Sequence, residues 1–153
     1  MQIEFIKLDN SQDLFFNILP QDWQDIIVPQ WKNFKDSASI FIFKENEELI
    51  AGGIVFEKSH INMTPFEKEH QYLYAENYFY LGFIWVIPSK RNQQLASKWL
   101  TEIKKAYSNQ KFWLTIEEEP LKYFYQKNDF KLIAESNDEN YKEWVLTFTP
   151  QKF

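Results

Sequence analysis

The ten residues from Tyr78 to Ile87, YFYLGFIWVI, restrict this chain more than any other stretch. Every position except Gly82 is apolar or aromatic. The run is far shorter than the roughly 18 residues that span a bilayer, and its β-branched and aromatic content favours a strand buried on both faces. Such a strand needs partners on each edge, so the rest of the chain must supply a sheet around it. IEFIKL (3–8) alternates like a short strand, and SASIFIFKE (37–45) with ELIAGGIVFEK (48–58) flanks the polar tip Asn46-Glu47 as a hairpin. KFWLTIE (111–117) is a further strand, and DFKLIAES (129–136) and YKEWVLTFT (141–149) form a closing hairpin around NDEN.

Four helices stand between these strands. SQDLFFNIL (11–19) opens on a Ser able to cap and is stopped by Pro20. QDWQDIIVPQW (21–31) places Trp23, Ile26, Ile27 and Trp31 at helical spacing, and Pro29 is expected to kink or end it. From Arg91 to Tyr107, Leu95, Ala96, Trp99, Leu100, Ile103 and Tyr107 recur at three and four, which marks the clearest amphipathic helix. PLKYFYQKN (120–128) carries Pro at a first helical position. Residues 59–77 show no clean period and read as a long connection of the kind that lines sites. No repeat or linker divides the 153 residues, so the expectation is one α/β domain spanning 1–153.

Composition excludes several chemistries. With no Cys there is no disulfide framework, thiolate zinc site or cysteine nucleophile. His60 and His70 lie ten apart without HExxH spacing, so they read as surface residues and no metal is expected. A net charge of −5 argues against a nucleic-acid partner and leans toward cationic ligands. No membrane partner is expected either, and the start MQIEFIKLDN lacks the basic-then-apolar order of a signal peptide, so the expected compartment is cytoplasmic. Gly52, Gly53 and Gly82 are the only glycines, so neither GxGxxG nor GxxxxGK[ST] is present.

One phosphate-binding geometry survives that exclusion. The buried strand passes through Val86-Ile87-Pro88 into SKRNQQLAS and then into a helix, which aims the first unpaired helical N–H groups outward beside Lys90 and Arg91. On residue types alone a solvated helix start is the commoner reading of such a turn. However, VIPSKRNQQLASKWL (86–100) resembles the acyl-CoA-binding segment of the GNAT N-acyltransferase superfamily, in which Val-x-Pro leads into Arg/Gln-x-x-Gly-x-Gly/Ala. Arg91 and Ala96 match that pattern, while Gln94 stands at its first Gly. YFYQKNDF (123–130) resembles the family's Leu-Tyr-x-Lys-x-Gly-Phe through Tyr125, Lys127 and Phe130, with Asp129 replacing Gly.

The resemblance implies a mixed, mostly antiparallel seven-stranded sheet, splayed between strands 4 and 5 and flanked by about four helices. It further implies acetyl-CoA as co-substrate, held by the backbone of Ile84, Trp85 and Val86 and by the amides of Arg91, Asn92, Gln93, Gln94, Leu95 and Ala96. Gln94 must then either adopt a helical conformation with its side chain aside or obstruct the turn. Tyr125 would protonate the leaving thiolate, although by packing alone it is also a core aromatic. Glu76, just before the strand, is the first candidate for removing the amine proton, and Glu57 the second. Glu118 stands near the position where the family often has Asn. The implied activity is acetyl transfer to a primary amine, on a small molecule or a peptide, by direct attack. The alternative is an inactive protein of the same fold that binds a CoA ester or a protein partner. Oligomeric state stays open, a homodimer included.

Overall fold

The computed structural model describes residues 2–151. Seven strands form one sheet in the order β1-β2-β3-β4-β5-β7-β6, in which β1 is Ile3–Leu8, β2 Ala38–Glu45, β3 Glu48–Phe56, β4 Tyr78–Val86, β5 Lys111–Ile116, β6 Lys131–Glu135 and β7 Trp144–Phe148. Every neighbouring pair is antiparallel except β4–β5, which is parallel. The β2–β3 hairpin turns on Asn46 (φ 49°) and Glu47 (φ 70°), and two successive positive φ values match the right-handed twist of the strands they join.

The helices are α1 (Gln12–Phe16), α2 (Gln21–Gln30), α3 (Pro65–Glu69), α4 (Tyr72–Ala75), α5 (Leu95–Ala106) and α6 (Glu119–Lys127). Pro29 sits inside α2, which ends one residue later and tightens into a 3-10 turn over Trp31–Asn33. Residues 59–77 hold two short helices in place of an irregular connection. The first starts on a reciprocal cap in which Thr64 accepts from the Glu67 N–H and Glu67 accepts from the Thr64 N–H.

Two cores lie on opposite faces of the sheet. One packs Leu95, Trp99, Leu100 and Ile103 of α5 and Tyr125 of α6 against Leu81, Phe112, Leu114 and Ile116. The other packs α1, α2 and the 59–77 segment against Ile54, Phe56, Tyr80, Trp113 and Val145. Close approach explains two glycines. A Cβ on Gly53 would lie 2.6 Å from the Trp99 ring, and one on Gly52 would lie 2.7 Å from Phe15. The sheet is thin at its centre so that one aromatic ring can rest on it from each side.

β4 departs from the expectation of a strand buried on both faces. Only Tyr80 and Leu81 are buried, and Gly82–Val86 are half-buried. The cause is the pairing. β4 meets β5 through three residue pairs, Tyr78↔Lys111, Phe79↔Phe112 and Tyr80↔Trp113, after which the two strands part. Beyond the last pair β4 has only β3 for a neighbour, and there it carries a bulge, with Phe83 and Ile84 opposite Gly53 and Phe83 at φ 53°.

Candidate active site

The opening between β4 and β5 leads to a groove of about 460 Å³. Its walls are Ile84, Trp85 and Val86 on β4, Lys90, Arg91, Asn92 and Gln94 in the elbow, Leu95–Ser97 of α5, and Phe124 and Lys127 of α6. The structure thus brings together every residue of the expected acyl-CoA segment except Gln93, which is exposed outside the lining. The backbone orientation on β4 alternates. The Ile87 N–H donates to the Ile50 carbonyl at 3.0 Å, so the Val86 groups turn the other way, toward the side that β5 has left, and those of Trp85 turn back toward β3. The Trp85 backbone is therefore spent on β3, and its ring packs edge-on against Trp23 of α2 on the other face of the sheet.

The cations of the elbow divide between two tasks. Lys90 donates to Glu45 at the end of β2 at 2.6 Å and is tied there. The exposed Arg91 side chain folds back instead. Its Nε donates to the Val86 carbonyl at 3.1 Å, and its guanidinium lies 4.5 Å from the centre of the Trp85 ring. The mouth of the groove therefore carries the Arg91 charge and the exposed Lys127.

Gln94 takes neither conformation expected from the sequence. It is the N-cap of α5 in the left-handed region, with φ 61° and ψ 25°, and its exposed side chain makes no capping bond. The turn thus has the shape a glycine would give it, held by a residue with a Cβ. The first-turn N–H groups of α5 carry no side-chain cap and face the end of the groove.

Tyr125 does not line the groove. It is 8% exposed, its ring packed edge-on to Phe124 and Phe130, and burial pushes its hydroxyl pKa well above the ordinary value. Glu76 is exposed at the end of α4, ahead of the paired end of β4, and eight residues or ~26 Å of extended chain separate it from Ile84. Glu76 is not among the residues that line the groove. Glu57 is exposed and lines a different, polar cavity with Lys7, Asp9 and Lys35. Glu118 is the N-cap of α6 and makes no side-chain capping bond.

A cluster not anticipated from the sequence sits where the strands part. Glu67 of α3 is 6% exposed. It accepts from the hydroxyls of Tyr80 on β4 and Thr115 on β5, from the Thr64 N–H, and pairs with His60 Nε2 at 3.0 Å. Burial alone would raise its pKa. The His60 hydrogen bond and charge, with the Thr115 and Thr64 donors, outweigh that and hold it at about 2. His60 is thus buried, not a surface residue. Its other nitrogen lies 2.7 Å from the Tyr74 hydroxyl, and its ring stacks on Tyr80 with centroids 3.5 Å apart. Thr64 Oγ1 donates at 2.7 Å to Glu143, whose carboxyl pKa is raised by burial and by the charge of Glu67. The legible part of this cluster was Thr64-x-x-Glu67, the sequence signature of a capping box.

A parted parallel pair in an otherwise antiparallel sheet, with a basic elbow at its mouth, points to one family, and the sequence profile of the acetyltransferase (GNAT) family matches residues 7–130. The chain belongs to that family. No curated protein matches it significantly. Solved structures with the same fold include a GNAT-family protein from Desulfovibrio desulfuricans, with TM-score 0.70, 12% identity, and 97% of this chain and 99% of that one covered. An N-acetyltransferase from Staphylococcus aureus Mu50 superposes with TM-score 0.66 at 16% identity, covering 97% and 99%. A GNAT family acetyltransferase from Elizabethkingia anophelis, solved with acetyl-CoA bound, gives 0.63 at 13% identity, covering 97% and 98%. Among the described residues no helix of this GNAT protein is long and apolar enough to cross a membrane, and no group of three or more His, Asp or Glu is placed to hold a metal ion.

Proposed function

We propose that this GNAT protein transfers an acetyl group from acetyl-CoA to a primary amine by direct attack. The observation that carries the reading is the groove itself, an open strand edge ending at an uncapped helix start with Arg91 beside it. Each part suits a part of the ligand. The Val86 carbonyl on the open edge is an acceptor for an amide N–H of pantetheine, the first-turn amides of α5 favour a diphosphate, and Arg91 adds charge. The acetyl-CoA bound by the Elizabethkingia protein supports the same choice of co-substrate.

In the reaction the nitrogen lone pair attacks the thioester carbonyl, the C–N bond forms and the C–S bond breaks. The proton lost from nitrogen balances the one gained by sulfur. The motif position of Tyr125 and its protonated hydroxyl support it as the general acid for the leaving sulfur. A second reading, CoA-ester binding without turnover, is favoured by the burial of Tyr125 away from the groove lining.

Calorimetric titration tests the first step: acetyl-CoA is expected to bind, and no heat at millimolar ligand would rule out the proposal. Thiol release with a panel of primary amines separates the two readings. Tyr125→Phe is expected to lower kcat while leaving acetyl-CoA affinity unchanged, and equal loss of both would make the residue structural.

A further inference from the structure

Three oxygens from three elements meet at the point where β4 and β5 part. Glu67 Oε2 lies 2.9 Å from the Tyr80 hydroxyl and 2.5 Å from Thr115 Oγ1, and those two hydroxyls are 2.6 Å apart. Tyr80 belongs to the last β4–β5 pair, and Thr115 stands two residues beyond that pair on the other strand. Strand alternation puts Thr115 on the face of Trp113, opposite the α5 face of Leu114 and Ile116. The groove and this cluster therefore flank one opening from opposite sides.

Counting protons defines what the cluster accepts. A carboxylate only accepts, and each hydroxyl carries one proton, so three short oxygen–oxygen contacts share two protons. Glu67 supplies no third, because its neighbours keep it ionised at neutral pH. His60 supplies none to the triangle's interior either, with Nε2 engaged on Glu67 and Nδ1 against Tyr74. However the two hydroxyl protons are arranged, both point within the cluster and leave acceptor capacity facing out. Tyr80 is buried and Thr115 half-buried, so Thr115 is the hydroxyl residue of the pair that keeps exposed surface.

We propose that Thr115 Oγ1 receives the acceptor nitrogen, accepting a hydrogen bond from a basic aliphatic amine, and that Glu67 is the positioning residue that keeps the hydroxyl proton turned inward. This rests on the acetyl-transfer reading and deepens it by naming the class of acceptor. An alkylammonium offers several N–H donors and a charge attracted by Glu67, and by Glu143 bridged to it through Thr64. An alcohol offers one donor and no charge, and an aryl amine is neutral. The ammonium first gives a proton to solvent. The neutral amine then attacks, C–N forms, C–S breaks, nitrogen loses its second proton and the sulfur leaves as the thiol.

The test compares the wild type, Thr115→Val and Thr115→Ser for acetyl-CoA affinity by calorimetry and for thiol release with cadaverine, tyramine and aniline. Thr115→Val is expected to lower kcat/KM for the two aliphatic amines roughly ten- to hundredfold, the loss of one charge-assisted hydrogen bond, with acetyl-CoA affinity unchanged. Thr115→Ser is expected to restore most of that activity, and aniline to release no thiol above background. Wild-type rates in Thr115→Val, a parallel loss of acetyl-CoA affinity, or aniline turnover matching the aliphatic amines would overturn the proposal. If the wild type binds acetyl-CoA but releases no thiol, cadaverine is titrated into the CoA-saturated wild type and the Thr115 methyl resonance followed. An unmoved resonance also overturns it, and this arm needs no variant to fold. Failure of acetyl-CoA to bind the wild type refutes the acetyl-transfer reading itself, and is seen in the first measurement.

Discussion

Replacing Gln94 by glycine should make this protein more stable, although glycine in the body of a helix is destabilising. Gln94 holds φ 61° and ψ 25° at the N-cap of α5, with its side chain exposed and without a capping bond. A left-handed conformation costs a residue with a Cβ about 1–2 kcal/mol, and Gln94→Gly removes that cost. Against it stands the greater freedom of glycine in the unfolded chain, about 0.5–1 kcal/mol. The net gain is about 0.5–1 kcal/mol, and for a domain of this size each kcal/mol moves the midpoint by roughly 2–4 °C. The expected result is a rise of about 1–4 °C by circular dichroism, with a matching shift in urea midpoint at constant slope. Gln94→Ala is the control. The strain comes from Cβ, which alanine keeps, so that variant should stay near the wild type. A Gln94→Gly protein no more stable than Gln94→Ala would refute the argument, because the strain would then not be in the backbone. Acetyl-CoA should bind the glycine variant at least as tightly, since the turn's shape is retained.

Three further outcomes follow from the geometry. Glu67 has a folded pKa lowered from 4.5 to about 2, so its stabilisation is present above pH 4.5 and is lost as the pH falls toward 2. The stability difference between wild type and Glu67→Gln should narrow across that range by up to ~3 kcal/mol, and a gap independent of pH would refute the assignment. Glu143 is shifted the other way, by burial and then by the charges of Glu67, Glu117 and Asp138, so its ionised form opposes folding at neutral pH. Glu143→Gln should raise Tm at pH 7, with the advantage fading as acidification protonates the wild-type residue. Arg91→Ala should weaken acetyl-CoA but strengthen S-acetylpantetheine, which lacks the diphosphate, because Arg91 Nε no longer competes for the Val86 carbonyl. Weakening of both ligands in calorimetry would show that no such competition exists.

The sequence made the strands, the long helix and the elbow legible because each is written in a local period. Leu95, Trp99 and Ile103 announce a helix face without reference to any other part of the chain. The conformation of Gln94 was not legible from its residue type, since glutamine rarely enters the left-handed region, and the one signal for it was the glycine that the family pattern has at that position. The two helices within 59–77 have five and four residues, too few to establish a period, and only the Thr64 and Glu67 pair marked a start. The Glu67 cluster joins residues 13 and 48 positions apart, which no spacing rule connects. Glu76 looked suitable for proximity to β4 in sequence, but it precedes the end of the strand that stays paired.

The three-pair seam between β4 and β5 has a mechanical consequence. Three residues of strand amount to about 10 Å, and this is the main-chain bonding that unites β1–β4 with β5–β7 in the sheet. The segment Tyr107–Gln110, which enters β5, is therefore a natural place to divide the chain. Two fragments cut there would keep their own antiparallel ladders and would have to find each other through the seam, the two cores that span it and the Glu67–Thr115 hydrogen bond. Reassembly of such a pair would be weakened by the loss of the one buried carboxylate that bonds across the division, making this fold a candidate for a split reporter whose closure is tuned at Glu67.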